Sequence, residues 1–359
     1  MQKKGGFKGF LSFLKGSRRY LAAAFLACLV SVGAGYVIPQ IVGFTVDCVF
    51  DNSRYPGILS GLPERQFFID NLYIIALAIG LFALIQAAGN YFQKSLSMKA
   101  GEKMSKTMKD KLFSHIQSLP FSWHSSIQTG DIIQRCTQDA DLIKRFAAEH
   151  VIELLRTAVM VWLGFAIMFA MHWRLALVAA GFIPLIIIFS AVYFNKISSN
   201  FQKADEAEGL LTAVLQENLT GVRIVRAYGA QSRENENFKQ KNDALFSMWI
   251  KLGKHLSVFW ASGDLFAALQ VLSILTAGVY FTASGGISAG GLIAFVFYAQ
   301  MIIWPVRNMG RILGEISKTS ISAGRINEIF QGRPEADAAD SFRPRIMGGI
   351  AFRGVTFSY

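Results

Sequence analysis

The sequence predicts an all-α, polytopic membrane protein with six long transmembrane helices extended into the cytoplasm and a C-terminal β-strand stub. Three observations carry that prediction. Apolar stretches at 20–50, 72–97, 147–171, 173–195, 255–283 and 287–306 each supply the ~20 helical residues that a ~30 Å hydrocarbon core requires. Two polar insertions, 98–146 and 196–254, are helix-prone and too long and regular for loops. The 36 Lys and Arg are also sorted: six in residues 1–19, eight and nine in the two insertions, eight after Val306. The opposite connections hold only Arg54, Arg65 and Arg174, which puts both termini and both insertions in the cytoplasm. The net charge of +12 then reads as anchoring to the lipid bilayer, and no nucleic-acid partner is needed.

Residues 1–19 place Phe7, Phe10, Leu11 and Leu14 at i, i+3, i+4, i+7 among six basic residues, the pattern of an amphipathic helix lying in the headgroup plane. Leu26-Ala27-Cys28 imitates a cleavage site, but apolar sequence continues through Val30, Ile38 and Val46, so the first span is expected to be uncleaved. The second span continues as helix from Met98 to Ile116 and ends at Pro120, which lacks the backbone N–H. A short aromatic segment follows, Trp123-His124-Ser125 at its centre, then Thr129-Gly130-Asp131 as a turn and capping signal, and helix returns over 132–146. The second insertion repeats the plan: helix out over 196–228, a reversal near Gly229–Asn235 and helix back over 236–254. About 30 residues each way reach ~45 Å from the bilayer. The tips, Trp123–Ile127 and Ala230–Asn235, are the natural docking surfaces.

Cys28, Cys48 and Cys136 are odd in number and scattered, and the five His form no ligand spacing, so no disulfide framework or metal site is expected. Glu149 and Glu153, beside His150 and Arg156, read as a solvated helix end. Polar residues within the spans are Gln40, Gln86, Asn90, Asp264, Gln270 and Gln300. Such groups face a bundle interior or a watery cavity. With Phe295, Phe297 and Tyr298, and with Trp260 and Phe266, they describe either an aromatic, weakly polar substrate cavity or helix packing. Pro39, Pro184 and Pro305 are expected kink sites.

Four segments in order resemble one family. Thr129-Gly130-Asp131-Ile132-Ile133-Gln134-Arg135, followed by Gln138-Asp139-Ala140-Asp141, is similar to the first-loop signature of ABC exporters with a type I, six-helix transmembrane domain. Gln216–Gly229 is similar to their second-loop signature, Ser322–Phe330 to the segment after the sixth span, and Ile350–Tyr359 to the first strand of the nucleotide-binding domain. The resemblance covers the whole chain. It implies a multidrug- or lipid-exporter-like half-transporter that moves amphipathic substrates by alternating access as a dimer with an identical or homologous subunit. Residues 20–313 would be the transmembrane domain, 314–347 a linker and 348–359 the start of the nucleotide-binding domain, in a bacterial plasma membrane. It further implies coupling segments at Trp123, His124 and Ser125 and at Ala230, Gln231, Ser232, Arg233 and Glu234, and adenine stacking by Tyr359. ATP and Mg2+ would serve the complete protein. No Gly-x-x-x-x-Gly-Lys-Ser/Thr phosphate loop occurs here, so the break at Tyr359 reads as a truncation and no ATPase residues are assigned. A secondary transporter or a non-transporting scaffold are the alternatives. The first lacks an apparent inverted repeat and a paired intramembrane acid and base.

Overall fold

The structure is a computed structural model and describes residues 16–50, 65–335, 345 and 347–357. The basic amphipathic segment ahead of Gly16 and the proposed adenine residue Tyr359 lie outside them. Helix α1 (Arg18–Phe50) is followed by the short α2 (Arg65–Asp70) and by α3 (Leu72–Gln117). Pro120 ends α3 as expected and stands at the N-cap of α4 (Phe121–Ser126). The chain then returns through α5 (Thr129–Gln134), α6 (Ala140–Arg145) and α7 (Val151–Thr220), joined by π-helical turns at Arg135–Asp139 and Phe146–His150. Helix α8 (Val222–Ala227) forms the second tip, and α9 (Gln231–Ala283) and α10 (Ala289–Gln331) complete the bundle.

Six of these helical stretches are long and apolar enough to cross a membrane: Arg18–Val49, Leu72–Gln117, Thr129–Met171, Trp173–Thr220, Gln231–Ala283 and Ala289–Met309. The turn between the third and fourth is a single residue. His172 adopts φ −159° and ψ 100°, and its Nδ1 accepts the Leu175 N–H at 3.2 Å, so the imidazole caps the helix that follows. Its ring lies 4.4 Å from that of Phe281, fixing the turn against α9. The prolines 39, 184 and 305 sit inside α1, α7 and α10 with helical backbone around them.

Two cores hold the molecule. Within the apolar stretches, Tyr36, Met168, Leu175, Ile186, Ile274, Phe295 and Ile302 pack together from α1, α7, α9 and α10. At the base of the first hairpin, Met104, Met108, Leu112 and Ile116 recur every fourth residue along α3 and meet Ile143, Phe146, Ile326 and Ile329. Helix α10 therefore joins both cores, and runs to Gln331, so the first part of the expected linker is helical. Close helix approach is set by small residues. A Cβ on Gly290 would overlap the Gly43 carbonyl, so α1 and α10 touch through backbone there. Among the described residues no strand forms, 347–357 included, although β alternation was expected at 348–359. A lone strand has no neighbour to receive its ladder hydrogen bonds.

Candidate functional site

The hairpin tips are built differently. Helix α4 presents Trp123 inward, partly buried on the first-hairpin core, and its rim outward. His124 Nε2 lies 3.1 Å from the Ile116 carbonyl, which ties the tip back to the last turn of α3. Ser125 is exposed, its hydroxyl donating to the Ser122 carbonyl at 3.0 Å. The first predicted coupling segment is therefore a short helix with one face seated and one face open.

The second tip differs from its sequence assignment. The short helix there is α8, residues 222–227, bracketed by Gly221 and by Gly229 at φ 63°. Ala230 is the N-cap of the returning helix, and Gln231, Ser232, Arg233 and Glu234 form its first turn. Gly229 is needed because a left-handed backbone disfavours other residues. Glu234 accepts from Asn218 Nδ2 at 3.1 Å across the reversal. The most exposed apolar groups of this tip are Ile224 and Tyr228, at 65% and 84%. The two bracketing glycines were the signal for α8. Beside this tip an open groove of about 1160 Å3 runs between the end of α7 and the start of α9, past Glu217, Gly221, Arg233 and Asn237.

The first hairpin is locked to α10 by a charge cluster. Asp131 bridges Arg135 Nη2 at 2.8 Å and Arg325 Nη2 at 2.6 Å. Arg135 Nη1 donates to Glu328 at 2.9 Å and to the Arg325 carbonyl at 3.0 Å. The buried Asp139 accepts from Ser322 at 2.8 Å and faces Arg325 Nε at 3.4 Å. Two segments of the family resemblance, 129–141 and 322–330, thus meet side chain to side chain. The hydrogen bond from Arg135, with Arg325 opposite, holds the Asp131 carboxyl below the usual carboxylate range.

Most of the expected substrate-cavity residues are packed or hydrogen-bonded within the chain. Phe295 and Tyr298 are fully buried in the intramembrane core. The Tyr298 hydroxyl donates to the Tyr36 carbonyl at 2.8 Å, and the Tyr36 hydroxyl to the Met160 carbonyl at 2.7 Å. Gln270, equally buried, donates to the Ala179 carbonyl at 3.2 Å. Asn90 accepts from Ser31 and from Arg156, both at 2.8 Å, while the Gln86 carbonyl accepts from Ser31 at 3.1 Å. A polar group at this depth needs a partner; the Asn90 carbonyl and the Gln270 amide nitrogen find one inside the chain, whereas the bond at Gln86 is to its main-chain carbonyl. Gln40 and Gln300 stay exposed, with Phe297 at 45%. The Glu153 carboxylate accepts from Asn308 at 3.0 Å, which gives that helix end a packing role.

The sequence profile of the ABC transporter transmembrane region matches residues 21–306. Among curated relatives, the uncharacterized ABC transporter ATP-binding protein YwjA of Bacillus subtilis (strain 168) is 28% identical over 324 residues, 85% of this chain and 56% of its own. A protein provisionally named as a multidrug export ATP-binding/permease protein, YgaD of the same organism, is 21% identical over 361 residues, covering 99% of this chain and 60% of YgaD. The ATP-dependent lipid A-core flippase of Syntrophus aciditrophicus (strain SB) is 26% identical over 287 residues, 79% of this chain and 48% of the flippase. The chain spans about half the length of the curated relatives it matches.

Proposed function

The chain belongs to the ABC transporter transmembrane region family, and from that premise we propose that it is the membrane part of an ATP-driven exporter working as a dimer. The observation that carries this reading is the pair of short tip helices, α4 and α8, at the ends of helices continuous with membrane spans. Helix α3 runs unbroken for 46 residues, ~70 Å at 1.5 Å rise, so displacement of a tip is delivered to a span. The clamp of Asp131, Arg135 and Arg325 makes the first hairpin move with α10.

Nucleotide-binding domains would seat on both tips: α4 with Trp123, His124 and Ser125, and α8 with the turn Ala230–Glu234. The second hairpin would cross to the domain of the opposite subunit. Residues 20–313 form the transmembrane domain in this reading, with a linker over 314–347 and the nucleotide-binding domain beginning at 348. Both termini and both hairpins lie in the cytoplasm of a bacterial cell, as the basic residues direct. ATP and Mg2+ belong to the nucleotide-binding domains. The chain has no phosphate loop, and among the described residues no cluster of three His, Cys, Asp or Glu can hold a metal ion. Tyr359 would stack on adenine, and Tyr359→Ala in the complete protein should weaken ATP binding roughly tenfold.

The cargo would be an amphipathic drug or lipid. Two relatives are named for multidrug export and for lipid A-core flipping. A pathway between two copies would expose Gln40, Phe297 and Gln300, which stay exposed within one chain. Substrate-stimulated ATPase of the complete protein in vesicles tests the coupling. Trp123→Ala or Glu234→Lys should abolish stimulation while leaving nucleotide affinity near normal, and full stimulation in both variants would refute it. External thiol labelling should reach a cysteine placed near Ser60 and miss one near Gln231. The reverse pattern would invert the topology.

A further inference from the structure

Near the hairpin ends of the fourth, fifth and sixth spans, a cavity of about 200 Å3 opens between α7, α9 and α10. Phe194, Phe259, Trp260 and Trp304 give it aromatic walls. Its polar lining is Ser190, Asn308 and two guanidiniums, Arg307 and Arg311, with no carboxylate. The acids that balance these arginines stand outside: Asp264 accepts from Arg307 Nη1 at 2.8 Å, and Glu153 lies 3.6 Å from Arg311 Nη2.

Arg307 is held with care for so apolar a place. It is 8% exposed, its guanidinium sits 4.6 Å from the centre of the Trp260 ring, and it passes over Gly263. A Cβ on Gly263 would lie 2.8 Å from Arg307 Cδ, so a larger residue there would push the arginine out. Yet Arg307 Nε has no hydrogen-bond partner among the described residues, and neither has the hydroxyl of Ser190, which is 2% exposed. Buried donors are almost always matched. Two unmatched donors on residues lining one cavity call for an acceptor that the chain itself does not supply.

Depth identifies the class of acceptor. The apolar run of α7 ends at 195, that of α9 begins at 255, and that of α10 ends at 306. The cavity therefore sits where Trp and Arg side chains bridge hydrocarbon and headgroups. Basic pockets between membrane helices at that level suit anionic headgroups. We propose that this cavity binds an anionic phospholipid, its phosphate oxygens accepting from Arg307 and Ser190 beside Arg311, its acyl chain lying on Phe194, Phe259 and Trp304. The site lies within one chain and does not depend on the transport reading.

The test is lipid titration of the full chain in detergent, with bound lipid counted by native mass spectrometry. Phosphatidylglycerol should bind roughly tenfold more tightly than phosphatidylcholine of the same acyl chains, because the choline cation of the latter faces two guanidiniums. Arg307→Gln should remove that preference and weaken phosphatidylcholine binding to a smaller extent, since both lipids present a phosphate to it. Asp264→Asn, which frees the arginine from its competing carboxylate, should strengthen phosphatidylglycerol binding a few-fold. This variant keeps the proposal testable if Arg307→Gln does not fold, since a merely structural ion pair predicts no gain. Equal binding of the two lipids, a preference that survives Arg307→Gln, or no gain in Asp264→Asn would each overturn the proposal. So would displacement of phosphatidylglycerol by inorganic phosphate, which would reveal an anion site with no role for a lipid chain.

Discussion

Between residues 98 and 146 the chain buries Met104, Met108, Leu112 and Ile143 against α10, whereas between Ala204 and Leu252 it buries no residue at all. Both segments are helical hairpins of similar length and both begin as extensions of membrane spans. The first is held by an apolar core and by the Asp131–Arg135–Arg325 cluster. The second leaves Leu215, Leu219, Phe246 and Ile250 exposed, at 47%, 67%, 63% and 44%. Helical propensity alone does not hold so long a hairpin in water, because most helix stability comes from packing an apolar face. The difference teaches that one hairpin is finished within the chain and the other is not. In the dimer proposed above, a second copy of the chain would cover it.

Truncation of a core side chain separates the hairpins most widely. Leu112→Ala, at a fully buried site, should destabilise the solubilised chain by about 2–5 kcal/mol. Leu219→Ala, in the exposed hairpin, should stay within about 0.5 kcal/mol. Thermal unfolding of both variants checks this, and equal losses would break the comparison. A smaller contrast is expected for polar contacts. Asp139→Ala strands the buried Ser322 hydroxyl and leaves Arg325 with Asp131 alone, for about 1–3 kcal/mol. Glu234→Ala gives up one hydrogen bond to Asn218 at a half-exposed reversal and should lose less than about 1 kcal/mol.

Acid should give the smallest effect, and only in the first hairpin. The Asp131 carboxyl titrates below its unfolded value, so its contribution is present at neutral pH. It is lost as pH falls through the folded value, below the ordinary carboxylate point near ~4. Proteolytic sensitivity of residues 129–141 should rise in that window, and Asp131→Asn should show the raised sensitivity already at neutral pH. An unchanged pH profile in Asp131→Asn would assign the loosening to another carboxylate.

The spans were legible because ~20 apolar residues in a row leave few alternatives. The first tip was legible because Pro120 removes a backbone donor in a polar segment and ends the helix there, unlike the prolines carried inside the apolar spans. The clamp was legible only as two separate segments, since nothing in a sequence says that Asp131 and Arg325 will meet across 194 positions. Phe295, Tyr298 and Gln270 could be read as cavity or packing, because a helix apolar all round gives no period by which to choose its buried face. Arg307 and Asp264 show the same limit from the other side. Arg307 is a charge at a span end and Asp264 one within a span, and their pairing is visible only in three dimensions.

The central claim is that the second hairpin lacks internal support and gains it from another copy. Hydrogen exchange on nanodiscs holding one chain or two measures this directly. With one chain per disc, amides in 100–145 should be protected and those in 205–251 should exchange fast. With two chains, protection should appear in 205–251 and stay unchanged in 100–145. Equal protection of both hairpins in single-chain discs would contradict the account.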